Sequence, residues 1–230
     1  MSARHRRAAR RTGRALPRVS ILVTARDPQE LKAKVQELRR QQYPTFEIVA
    51  TLGGSIAQGY NRAIRRAKGA IVVFTETDTV PMTRTWLRDL VAQVRPGEVV
   101  KGLDVQPSAF NLSNTACFAD IARHFPFDER YPVAEDTEWA ERLAQHGIPI
   151  RRIHTTGVWH LRHPHSRKAL RRAYQYGRAW ARLHRESGFE ELPSLIEQSR
   201  LQMARGRAVL RGIQDELRRR SRAGRTRSTG

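Results

Sequence analysis

A short apolar run that ends in two carboxylates constrains the fold of this chain more than any other feature. Ile71–Phe74 are four consecutive apolar residues, and Glu76–Asp78 follow after a single threonine. A continuous apolar run of this length is typical of a strand that is buried on both faces. In open α/β sheets, ligands bind at the carboxyl ends of the strands. Two carboxylates at that edge suit a hard divalent cation that also contacts phosphates, unless one of them only caps the next helix.

Predicted strands and helices alternate along the first half of the chain. Asp27 and Pro28 give one helix an N-cap and a proline at its first position. Such alternation predicts an α/β fold with a mixed, mostly parallel sheet flanked by helices. The predicted strands are Val19–Thr24, Phe46–Leu52 and the run at Ile71, and the predicted helices are Asp27–Gln42, Ile56–Gly69 and Pro81–Val94.

The second half of the chain has a less regular pattern. A strand is predicted at Val99–Leu103, and residues 104–116 are predicted to be irregular. Two further helices with a basic excess and amphipathic spacing are predicted at 166–187 and 193–219. The remaining predictions are a short helix at 117–124, a helix at Asp136–Gln145 and an edge strand at Ile150–Ile153.

The net charge of +21 is concentrated in two tails and one internal segment. Residues 1–18 carry seven arginines, residues 218–230 carry six, and neither tail has an acidic residue. Residues 151–190 carry ten basic and two acidic residues, whereas residues 19–150 carry 16 of each. We therefore expect disordered tails that interact with an anionic lipid surface, with nucleic acid or merely with counterions.

Cysteine content and motif content exclude several classes of protein. The single cysteine, Cys117, rules out an intrachain disulfide framework and a cysteine-rich zinc site. No secretory signal and no run of about 18 apolar residues is present, so we expect a cytoplasmic protein without a membrane span. The chain also lacks the G-x-x-x-x-G-K, G-x-G-x-x-G and H-E-x-x-H patterns, which argues against P-loop, dinucleotide and zinc-protease sites.

Other charged positions at predicted loop edges are candidates for chemistry. Glu135 and Asp136 open a predicted helix, where they either cap it or provide a general base. His160 is either a solvated loop residue or a neutral imidazole that contacts a metal or a diphosphate. His163 and His165 fit solvated loop positions better. Three nearby basic residues either neutralise phosphate charge or form a solvated face: Arg162, Arg167 and Lys168.

The order and spacing of these segments resemble family 2 glycosyltransferases of the GT-A fold. The resemblance covers about residues 18–185 and rests on the whole series, because none of its motifs is specific alone. The series comprises Val19–Ala25, Gln42-Tyr43-Pro44, Glu47-Ile48-Val49, Asn61, Ala67–Ala70, Glu76-Thr77-Asp78, Pro81, Trp86-Leu87, Phe127-Asp128-Glu129, Glu135–Glu138, Arg142-Leu143, Gly147 and His160.

The resemblance implies a nucleotide-diphosphate-sugar donor, an acceptor hydroxyl and inversion at the anomeric carbon. Asp78 and Glu76 match the metal motif that holds Mn²⁺ or Mg²⁺, and His160 matches a histidine that some members add. Asp136 matches the catalytic base, with Glu135 beside it. The expected contacts to the nucleotide-sugar are Ala25, Asp27, Asn61, Thr77 and Arg162.

Two departures from the family pattern bear on the donor. After the second strand the family has an acidic pair, where this chain has Leu52-Gly53-Gly54-Ser55. The carboxylate that reads uracil is therefore missing, so a UDP-sugar is not assumed. The first acid of the metal motif is Glu76 rather than aspartate, and its longer side chain reaches the ribose or a metal-bound water instead. Both departures also fit a weak or inactive member.

The sequence as a whole predicts an inverting, metal-dependent glycosyltransferase that works on the cytoplasmic side. Residues 18–165 form the GT-A domain and residues 166–219 a basic helical extension, between disordered tails at 1–17 and 220–230. The acceptor is a glycan or a lipid-linked molecule, and the basic helices either bind the anionic inner face of the membrane or pack on protein. The rival is a catalytically weak scaffold or polyanion-binding protein, although the neutral core and the lack of a stacking platform disfavour specific nucleic-acid binding.

Overall fold

The computed structural model describes residues 16–104 and 111–160, together with residues 182, 183 and 186. Predictions for residues 1–15 and 220–230, for the 193–219 helix, for the 166–187 helix apart from residues 182, 183 and 186, and for Arg162, His163, His165, Arg167 and Lys168 lie outside the described residues. The chain divides into two compact units, Met1–Ala179 and Trp180–Gly230. In the second unit, Arg182 donates to Glu186 at 2.7 Å across one helical turn.

The first unit contains seven strands and five helices among its described residues. The strands are β1 (Val19–Ala25), β2 (Phe46–Leu52), β3 (Ile71–Thr75), β4 (Thr79–Pro81), β5 (Val99–Asp104), β6 (Thr115–Phe118) and β7 (Ile150–His160). The helices are α1 (Pro28–Leu38), α2 (Ile56–Arg66), α3 (Trp86–Val91), α4 (Ala119–His124) and α5 (Glu135–Gln145).

One mixed sheet contains all seven strands in the order β2-β1-β3-β6-β5-β7-β4. The β1–β2, β1–β3 and β5–β7 pairs are parallel, and the three pairs that involve β6 or β4 are antiparallel. The predicted fold class, a mixed α/β sheet flanked by helices, is confirmed. Within the described residues, no helix is both long and apolar enough to cross a membrane.

Alternation of side chains along β3 builds two cores, one on each face of the sheet. Val72 and Phe74 pack with residues of α2, α4 and α5. Ile71 and Val73 pack on the opposite face with residues of α1 and α3. Because both faces are covered, the first four residues of β3 are all apolar, as the sequence indicates.

Two helix starts follow the capping chemistry in the sequence. The Asp27 side chain accepts from the backbone N–H groups of Gln29 and Glu30, so the predicted cap of α1 is confirmed. Ser55 and Gln58 form a reciprocal capping box at the start of α2. Both caps place their helices directly after strands β1 and β2.

The structure corrects three predicted elements. Strand β6 at Thr115–Phe118 occupies the end of the segment predicted as irregular and the start of the helix predicted at 117–124, which begins only at Ala119. The helix predicted from Pro81 begins only at Trp86, because Pro81 belongs to β4. A proline without an N–H is tolerated there because β4 is an edge strand. The predicted edge strand at Ile150 is instead the long strand β7, which pairs with β5 on one side and β4 on the other.

Candidate active site

The parallel strands β1, β2 and β3 end at one edge of the sheet. Ala25 lies opposite Leu52, and Val23 lies opposite Thr75. The residues that follow these strands therefore meet at the same edge, which is where α/β sheets bind ligands. Glu76 and Asp78 lie there, as predicted from the apolar run.

Residues 76–79 form a tight turn between β3 and β4, which we call the acid turn. Thr79 is buried, and its hydroxyl donates to the carbonyl oxygen of Glu76 at 2.9 Å. The Thr79 hydroxyl also lies 3.2 Å from the Thr75 hydroxyl. Glu76, Thr77 and Asp78 are half-buried. The turn thus holds two carboxylates in a fixed backbone frame at the edge of the sheet.

The charges of four carboxylates act on Tyr60 of α2. Its side chain is fully buried, and its hydroxyl donates to the carbonyl oxygen of Thr75 at 2.9 Å. Burial raises the pKa of Tyr60 well above its ordinary value, and negative charges nearby raise it further. The carboxylates responsible, here called the acid cluster, are Glu76, Asp78, Glu135 and Asp136.

The start of α5 brings Glu135 and Asp136 to the acid cluster. The N-cap residue of α5 is Ala134. Neither Glu135 nor Asp136 therefore occupies the N-cap position, which was one of the two roles considered for them from the sequence. Ala134 has a left-handed backbone with φ of 60°, which is strained for a residue with a Cβ atom and is found at functional sites. Glu135 is buried and Asp136 is half-buried.

The environment of Asp136 suits a proton acceptor. Burial raises the pKa of Asp136 to about 6. Two weaker effects lower this pKa: a 2.7 Å hydrogen bond from the Thr137 N–H and the positive charge of Lys101. A carboxylate with such a pKa is mostly ionised at neutral pH and more basic than an exposed aspartate. The charge and basicity of Asp136 are therefore compatible with a general base.

Two buried lysines, Lys34 and Lys101, are influenced by the charges of the acid cluster. Lys34 of α1 donates to the carbonyl oxygen of Thr79 and is 3.4 Å from both carboxylate oxygens of Glu37. Lys101 of β5 donates to Asn111 Oδ1 at 2.8 Å and to the Ser113 carbonyl oxygen. Burial lowers the pKa of both lysines, that of Lys101 to about 8.

Each lysine interacts electrostatically with two carboxylates of the acid cluster. The charges of Asp78 and Glu76 act on Lys34, and those of Glu76 and Asp136 act on Lys101. Among the nearby negative charges, that of Asp104 has the largest effect on Lys101, and it raises the lysine's pKa. Asp104 accepts from Ser113 Oγ at 2.8 Å and from Asn111 Nδ2 at 2.9 Å. Lys101 thus lies in a buried polar network between β5 and the segment before β6.

The backbone of His160 lies beside the acid turn. In the antiparallel pairing of β4 with β7, His160 is opposite Thr79. The position is compatible with the predicted role, but the His160 side chain is outside the described residues. Among the described side chains, no group of three or more His, Cys, Asp or Glu residues is arranged to hold a metal ion.

The donor set nevertheless fits a divalent ion that arrives with its substrate. Mg²⁺ and related ions are often held by one or two carboxylates together with substrate phosphates and water, without a full protein cage. Glu76 and Asp78 offer two carboxylates at an open edge of the sheet. The residues present are therefore compatible with a metal–diphosphate complex.

The predicted nucleotide-sugar residues have different surroundings. Ala25 is buried at the end of β1, and Asp27 is occupied as the N-cap of α1. The Asn61 amide donates to the Phe127 carbonyl and to Glu129, each at 2.9 Å, so it supports the loop before α5. Thr77 Oγ1 donates to Glu30 of α1 at 3.4 Å. Arg162 lies outside the described residues.

The turn after β2, at Leu52–Ser55, is where the acidic pair of the family would lie. Gly53 and Gly54 have φ of 77° and 82°, and Arg62 of α2 donates to the carbonyl oxygens of Leu52 and Gly53. The Leu52 side chain is 49% exposed. This corner therefore presents an apolar side chain and a guanidinium group instead of carboxylates.

Tyr60, Lys34 and Lys101 were not singled out as site residues from the sequence. Lys34 lies at helical spacing from Leu31 and Leu38, and Lys101 follows two valines of a predicted strand. A lysine at an apolar position of a periodic pattern is the signal that would have indicated a buried charge.

Among the comparisons with known proteins, only solved structures match, and they support the fold. No family model and no curated protein sequence matches the chain. The structure resembles the mannosyltransferase PcManGT from Pyrobaculum calidifontis, solved with GDP-Man and Mn²⁺, with a TM-score of 0.59, 18% identity, and coverage of 79% of this chain and 70% of that one.

A second similar structure is S. aureus TarS 1-349, solved with UDP-GlcNAc. The TM-score is 0.51 at 12% identity, and the match covers 76% of this chain and 73% of that one. At this level of identity, the likeness extends to the fold and leaves the activity to be argued from the residues of this chain.

Proposed function

We propose that this protein is a glycosyltransferase that moves a sugar from a nucleotide-diphosphate-sugar to an acceptor hydroxyl. The observation that carries the proposal is that the charges of Glu76, Asp78, Glu135 and Asp136 all act on Tyr60, whose hydroxyl donates to the last residue of β3 at the carboxyl edge of the sheet. The fold is similar to that of proteins solved with GDP-Man and with UDP-GlcNAc, which supports a nucleotide-sugar as the donor.

Asp78 and Glu76 are the proposed ligands of Mn²⁺ or Mg²⁺, with His160 as a further candidate. When bound, the ion would neutralise negative charge on the departing diphosphate. Asp78 and Glu76 lie in a half-buried turn, where their charges are screened less than on an open surface. Ala25, Asp27, Thr77 and Arg162 remain proposed donor contacts, and Asn61 is proposed to act by supporting the Phe127–Glu129 loop.

Asp136 is the proposed general base that accepts the proton of the acceptor hydroxyl. Its pKa of about 6 leaves it ionised at neutral pH while keeping it basic enough to accept a proton. Glu135 is buried beside it and is proposed to position it. Attack from the base side, opposite the departing diphosphate, would invert the anomeric carbon.

A screen for sugar-nucleotide hydrolysis tests the proposal without a known acceptor. GDP-, UDP-, dTDP- and ADP-sugars are incubated with the full chain and either Mn²⁺, Mg²⁺ or EDTA, and the released nucleoside diphosphate is measured. We expect one donor class to be hydrolysed with metal and none with EDTA. NMR of the first-formed sugar anomer tests inversion. If no nucleoside diphosphate binds at any metal concentration, the enzyme proposal fails.

The acceptor is proposed to be a glycan or a lipid-linked molecule, used at the cytoplasmic face of a membrane. The support is the excess of basic over acidic residues in 151–190 and in the two tails. The same charge favours the rival proposal of a polyanion-binding scaffold with a weak site. Salt-dependent binding to anionic vesicles and to DNA, measured beside the hydrolysis screen, separates the two, because a scaffold would bind polyanions without turning over any donor.

A further inference from the structure

We propose that Lys34 is a positioning residue that fixes the acid turn against α1 and acts as an internal counter-cation for Glu76 and Asp78. The expected effect of Lys34 on binding of a metal–diphosphate donor rests on the proposed function. The fixing of the turn itself can be tested on the protein without any ligand.

The burial and contacts of Lys34 show how it links α1 to the acid turn. Lys34 is 2% exposed, and its ammonium donates to the carbonyl oxygen of Thr79, 45 residues further along the chain. A buried ammonium has three N–H donors that must be satisfied within the protein. Glu37, half-buried on the same helix, accepts at 3.4 Å. The bond to Thr79 is thus a buried, charge-assisted link between α1 and the acid turn.

A second contact from α1 reaches the same turn. Thr77 Oγ1 donates to Glu30 Oε2 at 3.4 Å, and Glu30 lies four residues before Lys34 on one face of the helix. Thr77 and Thr79 flank Asp78, so α1 holds the turn on both sides of the proposed metal ligand. Inside the turn, the Thr79 hydroxyl and N–H both point to the Glu76 carbonyl oxygen, at 2.9 and 3.4 Å.

The positive charge of Lys34 supports its proposed role as a counter-cation for Glu76 and Asp78. Two carboxylates separated by one residue repel each other, and that repulsion favours an open turn when no cation is present. The charged groups that act on the Lys34 ammonium are Glu37 on its own helix and Asp78 and Glu76 on the turn. A fixed cation behind the turn lowers the cost of holding both acids together, so that the site is formed before the donor binds.

A purely structural role for the Lys34–Glu37 pair predicts a different result. In that case its removal would lower global stability and leave the acid turn as well protected as the rest of the sheet. Hydrogen exchange of the unliganded full chain distinguishes the two roles, because it reports local opening of individual segments.

The main test variant combines Lys34→Met with Glu37→Met, since removing Lys34 alone leaves a carboxylate without its buried partner. Lys34→Gln is measured alongside, so that a usable variant remains if the double variant does not fold. Leu38→Ala is the matched control, because Leu38 is a fully buried residue of the same helix that belongs to the core beneath it. Lys34→Arg retains the charge and tests rescue.

We expect amides 76–80 to exchange at least ~10-fold faster in the double variant and in Lys34→Gln than in the wild type, with β1 amides unchanged. Leu38→Ala should not accelerate the turn selectively, and Lys34→Arg should restore much of its protection. Unchanged exchange of the turn in a folded Lys34→Gln or double variant would overturn the proposal.

Binding of Mn²⁺ with GDP or UDP tests the consequence at the donor site. We expect the half-saturating Mn²⁺ concentration to rise ~10-fold in the double variant, while nucleotide affinity in EDTA stays the same. Equal Mn²⁺ dependence in wild type and variant would contradict the role at the donor site. If the wild type binds neither nucleotide with Mn²⁺, the proposed function fails, and the exchange experiment still decides the role of Lys34 in the turn.

Discussion

The hydroxyl of Tyr60 donates to the carbonyl oxygen of Thr75 at 2.9 Å and joins α2 to the last residue of β3. The ring of Tyr60 packs edge-on against Phe74, with centroids 5.4 Å apart. The next residue along the chain is Glu76, the first acid of the turn. Tyr60 therefore links the aromatic core to the start of the candidate site.

Replacement of Tyr60 by phenylalanine separates these two functions of the side chain. Tyr60→Phe keeps the ring and removes the hydrogen bond, so we expect a loss of about 1 kcal/mol in the free energy of unfolding, measured in urea. Because the bond fixes the residue before the acid turn, metal-dependent nucleotide binding should also weaken. Tyr43→Phe is the matched control, since its hydroxyl donates to the Pro17 carbonyl at 2.7 Å, away from the acid cluster. Equal nucleotide binding by both variants would contradict a role for Tyr60 at the site.

Asp136→Asn should reduce transfer without reducing donor binding. An amide cannot accept the acceptor proton, so we expect hydrolysis or transfer to fall by at least ~10²-fold while nucleotide affinity changes little. In the wild type, activity should rise with pH through about 6, where Asp136 ionises. Full activity of Asp136→Asn would exclude Asp136 as the base.

The same substitution should increase stability at neutral pH. The pKa of Asp136 is raised by burial, so its ionisation opposes folding, and wild-type stability falls as the pH rises from about 4 to about 6. Asparagine does not ionise, and we expect a gain of about 1 kcal/mol above pH 6 after allowing for solvent screening of a half-buried group. Thermal unfolding at pH 4 and pH 7.5 measures the effect. A gain that is equal at both pH values would contradict this account.

Asp78→Ala should abolish metal-dependent nucleotide binding. Removal of one of two carboxylates leaves the proposed ion with a single protein ligand from the acid turn, so we expect Mn²⁺ to lose its effect on the affinity for GDP or UDP. Calorimetric titration with Mn²⁺ and with EDTA provides the measurement. Asp120→Ala is a suitable control, because Asp120 is exposed and follows Ala119, which pairs with Ala70 before the start of β3 at the opposite edge. Retained Mn²⁺ dependence in Asp78→Ala would remove this residue from the metal site.

Lys101→Met should move the pH dependence of activity. The positive charge of Lys101 lowers the pKa of Asp136, so its loss should shift the rise in activity to higher pH. Lys101→Arg retains the charge and should retain the profile if it folds, and Lys68→Met, at an exposed position, should leave the profile unchanged. A Lys101→Met profile that coincides with that of the wild type would show that the buried network does not tune the base.

Local sequence patterns predicted the parts of the fold that depend on near neighbours along the chain. The strand β2 matches its predicted bounds, and the Asp27 cap follows from side-chain chemistry within three residues. The approach of the β3 acids to one edge also follows, because parallel strands of alternating units must end together. Residues at the ends of such strands are therefore the part of a site that a sequence can indicate.

Long-range pairing decided the remainder. The burial of β7 between β5 and β4 and the presence of Pro81 in an edge strand depend on strand order, which local periodicity does not encode. The same holds for the two lysines. Lys34 is buried because its ammonium meets Thr79, 45 residues away, and Lys101 is buried because it meets Asn111 and Ser113, 10 and 12 residues further along the chain. The sequence by itself determined which acids reach the edge of the sheet. Only the tertiary structure decided which buried cations lie behind them, because a buried charge is tolerated only where distant polar groups satisfy it.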